Sequence, residues 1–194
     1  MRKLVAVTNV SLDGVMQAPG RPDEDLRGGF EHGGWTQPYR DSVMGQVMGE
    51  GMATAGAMLF GRRTYMDFFN VWPKRGNNPY TEALNNGQKF VASTTLANPL
   101  PWQNSTLLAG DIPAAVARLK ASDGNDLVVL GSGELLHSLM QHRLVDEYVL
   151  SIYPLMLGSG RRLFPDAGAF QKLELLKAVP TTTGVVIATY RAMA

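Results

Sequence analysis

Three short turns carry groups suited to holding phosphate: Gly61-Arg62-Arg63-Thr64, Ser93-Thr94-Thr95 and Gly131-Ser132-Gly133. In the first, glycine permits a tight exit from a strand. The two arginines offer planar forks that bond two oxygens at once, and Thr64 adds a hydroxyl near a helix start. The second supplies three hydroxyls in a row after a strand. The third precedes a helical pattern, where backbone N–H groups point outward and the helix dipole favours an anion. Each turn also has a plain reading: a solvated arginine pair, a Ser/Thr turn or cap, and a glycine turn without the GxGxxG fingerprint. The ligand reading is favoured because all three follow strands of one α/β sheet, and ligands gather at the carboxyl ends of such strands. One long dinucleotide could lie across all three.

Other reactive types are few. Asp13, in the turn Ser11-Leu12-Asp13-Gly14, is either a polar group beside a reacting ring or an ordinary Asp-Gly turn. Asp41 stands at a helix start, where an acid suits the dipole; it could also anchor a substrate amine, but the helix-start reading is favoured. Trp35 and Tyr39 flank glycine-rich sequence and could cover a planar substrate or pack the loop down. His32 in the same segment could donate a proton, though a lone loop histidine is usually not catalytic, and His137 and His142 read as surface residues of a helix. No Ser-His-Asp grouping, Walker sequence or metal motif is present. With no cysteine and three histidines among 194 residues, thiolate chemistry is excluded and a histidine-rich metal site is not expected.

The elements that would position these turns follow from hydrophobic period. Apolar runs at Lys3 to Val10, Ala57 to Phe60, Lys89 to Ser93, Thr106 to Leu108, Leu127 to Leu130 and Tyr148 to Tyr153 read as strands. Stripes at Asp41 to Ala53, Arg63 to Phe69, Asp111 to Lys120 and the segment from Gly133 read as helices, with Asp111 as N-cap and Pro113 in the first turn. A further helical turn is expected at Thr81 to Leu84, and Gln171 to Val179 with Val185 to Arg191 as an antiparallel pair turning at Gly184. Ala18 to Gln37 has no period and many glycines and prolines; such a loop is usually functional or mobile. The order implies an α/β fold: three αβα layers, a mostly parallel central sheet and an antiparallel C-terminal hairpin. Residues 1–194 read as one domain, with no repeat or linker.

Composition sets outer bounds. Net charge is +1, with 18 basic and 17 acidic residues, which gives no reason to expect nucleic acid or an anionic membrane as partner. The N-terminal apolar run is too short for a signal peptide and no stretch approaches a membrane span, so a cytoplasmic protein is expected.

Four segments together resemble a known family: NVSLDG (Asn9 to Gly14), LFGRRTY (Leu59 to Tyr65), VASTTL (Val91 to Leu96) and VVLGSGELLHSLMQHRLVDEYVLSIYPLMLGSGRRLF (Val128 to Phe164). The chain is similar to the dihydrofolate reductase-like superfamily, and within it to the reductase domain of the riboflavin-biosynthesis deaminase-reductase and its stand-alone relatives. The resemblance implies an NADPH-dependent reductase, often a homodimer, acting on a pterin, aminopyrimidine-like or carbonyl substrate. The named family activity is reduction of a ribosylaminopyrimidine. It places the cofactor phosphates at Gly61, Arg62, Arg63 and Thr64, and the adenosine 2′-phosphate near Ser93, Thr94 and Thr95. The pyrophosphate falls at Gly131, Ser132, Gly133, Glu134 and Leu135. The nicotinamide falls beside Asp13, Gly14 and Val15. The folate enzyme carries a carboxylate on its first helix; Asp41 is the nearest candidate for it here. A non-catalytic NADPH-binding or sensing protein is the alternative, and a purely structural subunit a third.

Overall fold

Near-continuous apolar runs in the central strands build a sheet whose middle is dry on both faces. The structure, a computed structural model, describes residues 1–54, 56–76, 78–166, 168 and 170–193. Among the described residues eight strands form one sheet: β1 (Leu4–Ser11), β2 (Ala57–Gly61), β3 (Gln88–Ala92), β4 (Ser105–Leu108), β5 (Leu127–Leu130), β6 (Glu147–Tyr153), β7 (Leu173–Pro180) and β8 (Val186–Ala192). Their spatial order is β4-β3-β2-β5-β1-β6-β8-β7. All pairs from β4 to β6 are parallel, and β6/β8 and β8/β7 are antiparallel.

The period-2 pattern sorts residues between two layers. Leu4, Ala6, Ala57, Leu59, Leu127 and Val129 pack with Val116 of α4 (Ile112–Ala121) and with Leu135, Leu136 and Leu139 of α5 (Gly133–Gln141). Their neighbours Met58, Phe60, Val128 and Leu130 pack on the other side. There they meet Tyr65 of α2 (Arg62–Val71), Leu84 of α3 (Pro79–Asn86) and Met52 of α1 (Ser42–Thr54). Asp111 caps α4 by accepting from Ala114 N–H at 3.0 Å. The expected strand-turn-helix-strand unit is present as β5, α5 and β6. The two strands are not neighbours, however, because β1 lies between them.

The segment 18–37 is not structureless. Val15, Ala18, Phe30 and Trp35 make a small core with Tyr153 and Val185. Trp35 Nε1 donates to Gln17 O at 2.8 Å, and the buried Gln17 amide donates to Asp25 O and Arg27 O. Arg21 reaches out to Asp67 on α2 in a two-pronged ion pair. No local period announces this segment because its partners are distant in sequence.

Lys89 shows how polar groups are spent inside. It is fully buried, and its ammonium donates to Leu84 O at 2.8 Å, Asn85 O at 3.2 Å and Gly87 O at 2.7 Å. It closes the carboxyl end of α3 and lies 4.6 Å from the Trp102 ring centre. Lys89→Met would take the ammonium away from three carbonyls, of which Asn85 O keeps Gln103 Nε2 as a donor, and is expected to lower stability by about 2 kcal/mol, read by urea unfolding. Unchanged stability would show that α3 is held otherwise.

Candidate functional site

The cleft starts where two parallel strands part. The last β1/β5 pair is Val7↔Leu130. Gly131 N–H then bonds Val7 O at 3.2 Å and β5 turns away, while β1 runs on beside β6 to Ser11. The turn uses two left-handed residues, Gly131 (φ +56°) and Ser132 (φ +60°). For serine that conformation costs about 1 kcal/mol. Its hydroxyl offsets this by accepting from Gly61 N–H at 3.0 Å and donating to Leu130 O at 3.1 Å. The ends of β2 and β5 are thereby tied together.

A cleft of about 1430 Å³ opens above this edge. All three phosphate turns line it: Gly61 to Thr64, Ser93 to Thr95, and Gly131 to Leu135. Two helices begin here, α2 and α5, and neither has a side-chain cap. By contrast α1, α3 and α4 are capped by Asp41, Asn78 and Asp111. Arg62 and Arg63 are exposed at the cleft, and their guanidinium groups make no ion pair or hydrogen bond among the described residues. Free N–H groups at helix starts beside unpaired guanidinium groups suit an anion.

Several expected groups serve the fold first. Ser93 Oγ accepts from Thr95 and Leu96 N–H, so its hydroxyl shapes the turn while Thr94 and Thr95 stay exposed. Glu134 is ion-paired to Arg161. Val15 is fully buried in the loop core and bridges to Arg162. Asp13 and Asp41 are absent from the cleft lining. Asp13 accepts from Ser11 Oγ at 2.6 Å, Leu157 N–H at 3.1 Å and Gly158 N–H at 2.8 Å. The serine bond and these amides hold its carboxyl down at about 2. It thus pins the 157–163 segment to the SLDG turn, joined by Met16 N–H to Arg161 O and Leu163 N–H to Gly14 O. Gly160 (φ +112°) allows this approach, since a Cβ there would lie 2.7 Å from Phe30. Asp41 caps Met44 N–H and bonds the Thr182 N–H and hydroxyl, which holds its carboxyl below the usual range.

The far side of the cleft holds groups that sequence reasoning passed over. Asn9 and Tyr153 line it, with the phenol donating to Asn9 Oδ1 at 3.4 Å. Tyr153 stands edge-on to Trp35 and Tyr39, so those two aromatics pack the loop down onto β6. Burial pushes its hydroxyl up to about 12. Glu24, in the folded loop, also lines the cleft, and burial holds its carboxyl above the usual range. His137 is half-buried rather than a plain surface residue. Its Nε2 sits 3.1 Å from Arg162 O and 2.9 Å from Leu163 O, so that nitrogen carries the proton and ties α5 to the cleft wall. His142 is exposed, as expected. Polar residues interrupting the apolar run of β1, Thr8 and Asn9, were the one available signal. Among the described residues no group of three His, Cys, Asp or Glu could hold a metal.

The family model of the RibD C-terminal domain matches residues 2–187. The Bacillus subtilis (strain 168) protein YwjB is 36% identical over 179 residues, covering 90% of this chain and 89% of its own. A putative riboflavin biosynthesis protein from Shewanella sp. PV-4 superposes with a TM-score of 0.69 at 19% identity, covering 99% of each chain. A dihydrofolate reductase from Enterococcus faecalis, solved with NADP(H) and RAB-propyl, gives 0.62 at 14% identity, covering 99% of this chain and 97% of its own. These two share the fold.

Because Asp13 has a lowered carboxyl, Asp13→Asn should cost stability at neutral pH, by about 2 kcal/mol for the charge-assisted bonds. The wild-type advantage is full above about pH 4 and fades as pH falls toward about 2, since protonation removes what the folded state favours. Denaturant unfolding of both proteins at pH 7 and pH 3 checks this. A gap that does not narrow would contradict it.

Proposed function

The chain belongs to the RibD C-terminal domain family, a family of reductases, and on that premise we propose an NADPH-dependent reductase of a small pterin-like, aminopyrimidine-like or carbonyl substrate. The observation that carries the cofactor reading is the pair of uncapped helix starts, α2 and α5, opening into one cleft beside unpaired Arg62 and Arg63. In this reading Gly61, Arg62, Arg63 and Thr64 hold phosphate oxygens. Thr94 and Thr95, shaped by Ser93, take the 2′-phosphate. The N–H groups of Gly133, Glu134 and Leu135 take the pyrophosphate, with Gly131 and Ser132 setting the turn. Bound NADPH would supply a hydride from its nicotinamide ring. The chain's own residues orient and enclose. Asp13 and Val15 brace the wall from behind, and Asp41 fixes the start of α1. Asn9 and Tyr153 present an amide and a phenol to the substrate, and the folded segment 18–37 keeps water out.

We also propose a cytoplasmic homodimer acting as one domain over residues 1–194. Among the described residues no helix is long and apolar enough to cross a membrane. The outer strand β7 leaves Leu173, Leu175 and Leu176 exposed, with Phe170 beside it, and such an edge suits a second copy. The second reading, an NADPH-binding protein without turnover, is favoured by one feature: α1 presents Met44 and Met48 to the cleft where a carboxylate would serve a substrate.

Calorimetric titration tests the cofactor. NADPH is expected to bind clearly and NADH more weakly. Replacing Arg62 and Arg63 together with alanine should weaken NADPH by about 100-fold, at roughly 1.5 kcal/mol per lost charged bond. No binding of either nucleotide would refute both readings. Turnover with pterin, aminopyrimidine and carbonyl compounds then separates the reductase from the non-catalytic binder.

A further inference from the structure

Two buried side-chain atoms lack a hydrogen-bond partner among the described residues: Thr8 Oγ1 and Arg27 Nη1. Arg27 keeps its pair with Asp25, and about a third of its side chain remains exposed. Thr8 is different. It is 5% exposed, it lies on the central strand, and it lines the cleft. Buried hydroxyls are almost always answered, because an unanswered one forfeits the bonds it made to water.

Its position sharpens the point. Ala6 and Val10, two residues to either side, are in the dry core against α5, so Thr8 faces the same layer. Valine would fill such a place with the same shape and no unmet bond. The preceding residue, Val7, accepts from Gly131 N–H at the start of the glycine turn. Thr8 is therefore the first β1 residue beyond the point where β5 leaves.

Sheet order then acts as a ruler. The three phosphate turns follow β3, β2 and β5, which are consecutive neighbours, and the next strand is β1. At about 4.8 Å per strand, β3 to β1 spans roughly 14 Å. A dinucleotide with its 2′-phosphate at β3 and its pyrophosphate at β5 brings its nicotinamide end to β1. Resting on the NADPH reading above, we propose that Thr8 is a cofactor-binding residue whose hydroxyl bonds the nicotinamide nucleoside. A hydroxyl both donates and accepts, which suits a carboxamide or a ribose hydroxyl. Asn9, the next residue, faces the opposite layer and the substrate side. Consecutive side chains of one strand thus serve the two halves of the site.

The test compares wild type, Thr8→Val and Thr8→Ser by calorimetry with NADPH and with adenosine 2′,5′-bisphosphate, and by thermal unfolding without ligand. Thr8→Val should unfold at the wild-type temperature or higher and bind NADPH about tenfold more weakly. It should bind the bisphosphate as wild type does. Thr8→Ser, which keeps the hydroxyl, should stay within about threefold of wild type for NADPH. A lower unfolding temperature for Thr8→Val would make the hydroxyl structural and overturn the proposal. So would unchanged NADPH binding, or an equal loss for both ligands. Failure of wild type to bind NADPH refutes the cofactor reading itself and is seen before any variant is made.

Discussion

The parting of β1 and β5 is the constraint on which the rest of this molecule depends. Two parallel strands at the centre of a dry sheet pair through Val7↔Leu130 and then separate. Separation needs a sharp exit, and Gly131 with Ser132 provides it in left-handed geometry. The serine hydroxyl holds that exit in place and ties β2 to it through Gly61. Everything that lines the cleft follows: the free start of α5 on one side, the continuing edge of β1 on the other, and the arginine turn of α2 alongside.

A second seam keeps the cleft walls in register. The SLDG turn and the GSGRR segment are about 145 residues apart in sequence but meet through Asp13 and the amides of Leu157 and Gly158. That seam brings Arg161 to the mouth, where it pairs with Glu134 on the first turn of α5. It also sets Met16 against the glycine turn, its sulfur 3.0 Å from where a Cβ on Gly133 would be. Charge at the mouth and close packing at the floor therefore lie along one seam, which Asp13 and the backbone bonds of Met16 and Leu163 hold together.

Much of this was legible in the residues. Strand and helix positions follow from period, and the glycine, arginine and hydroxyl turns all come to one edge because each follows a strand of the same sheet. What was not legible depends on long-range contact. Residues 18–37 look featureless because their core is completed by Tyr153 and Val185. Ser93 and Ser132 look like ligand hydroxyls, yet each bonds backbone close in sequence or across the sheet edge. Asp41 looks like a helix-start acid and is one, with Thr182 as a partner 141 residues away. Thr8 and Asn9 show in sequence only as polar breaks in a strand; the parting of β1 and β5 gives them meaning.

The central claim is that one dinucleotide lies along the carboxyl edge from β3 to β1. A crystal structure of the protein grown with NADPH tests it most directly. The 2′-phosphate is expected beside Thr94 and Arg62 or Arg63, the pyrophosphate on the N–H groups of Gly133 to Leu135, and the nicotinamide in the gap above Thr8. Density for the nucleotide in the reverse direction, or anywhere off this edge, would contradict it.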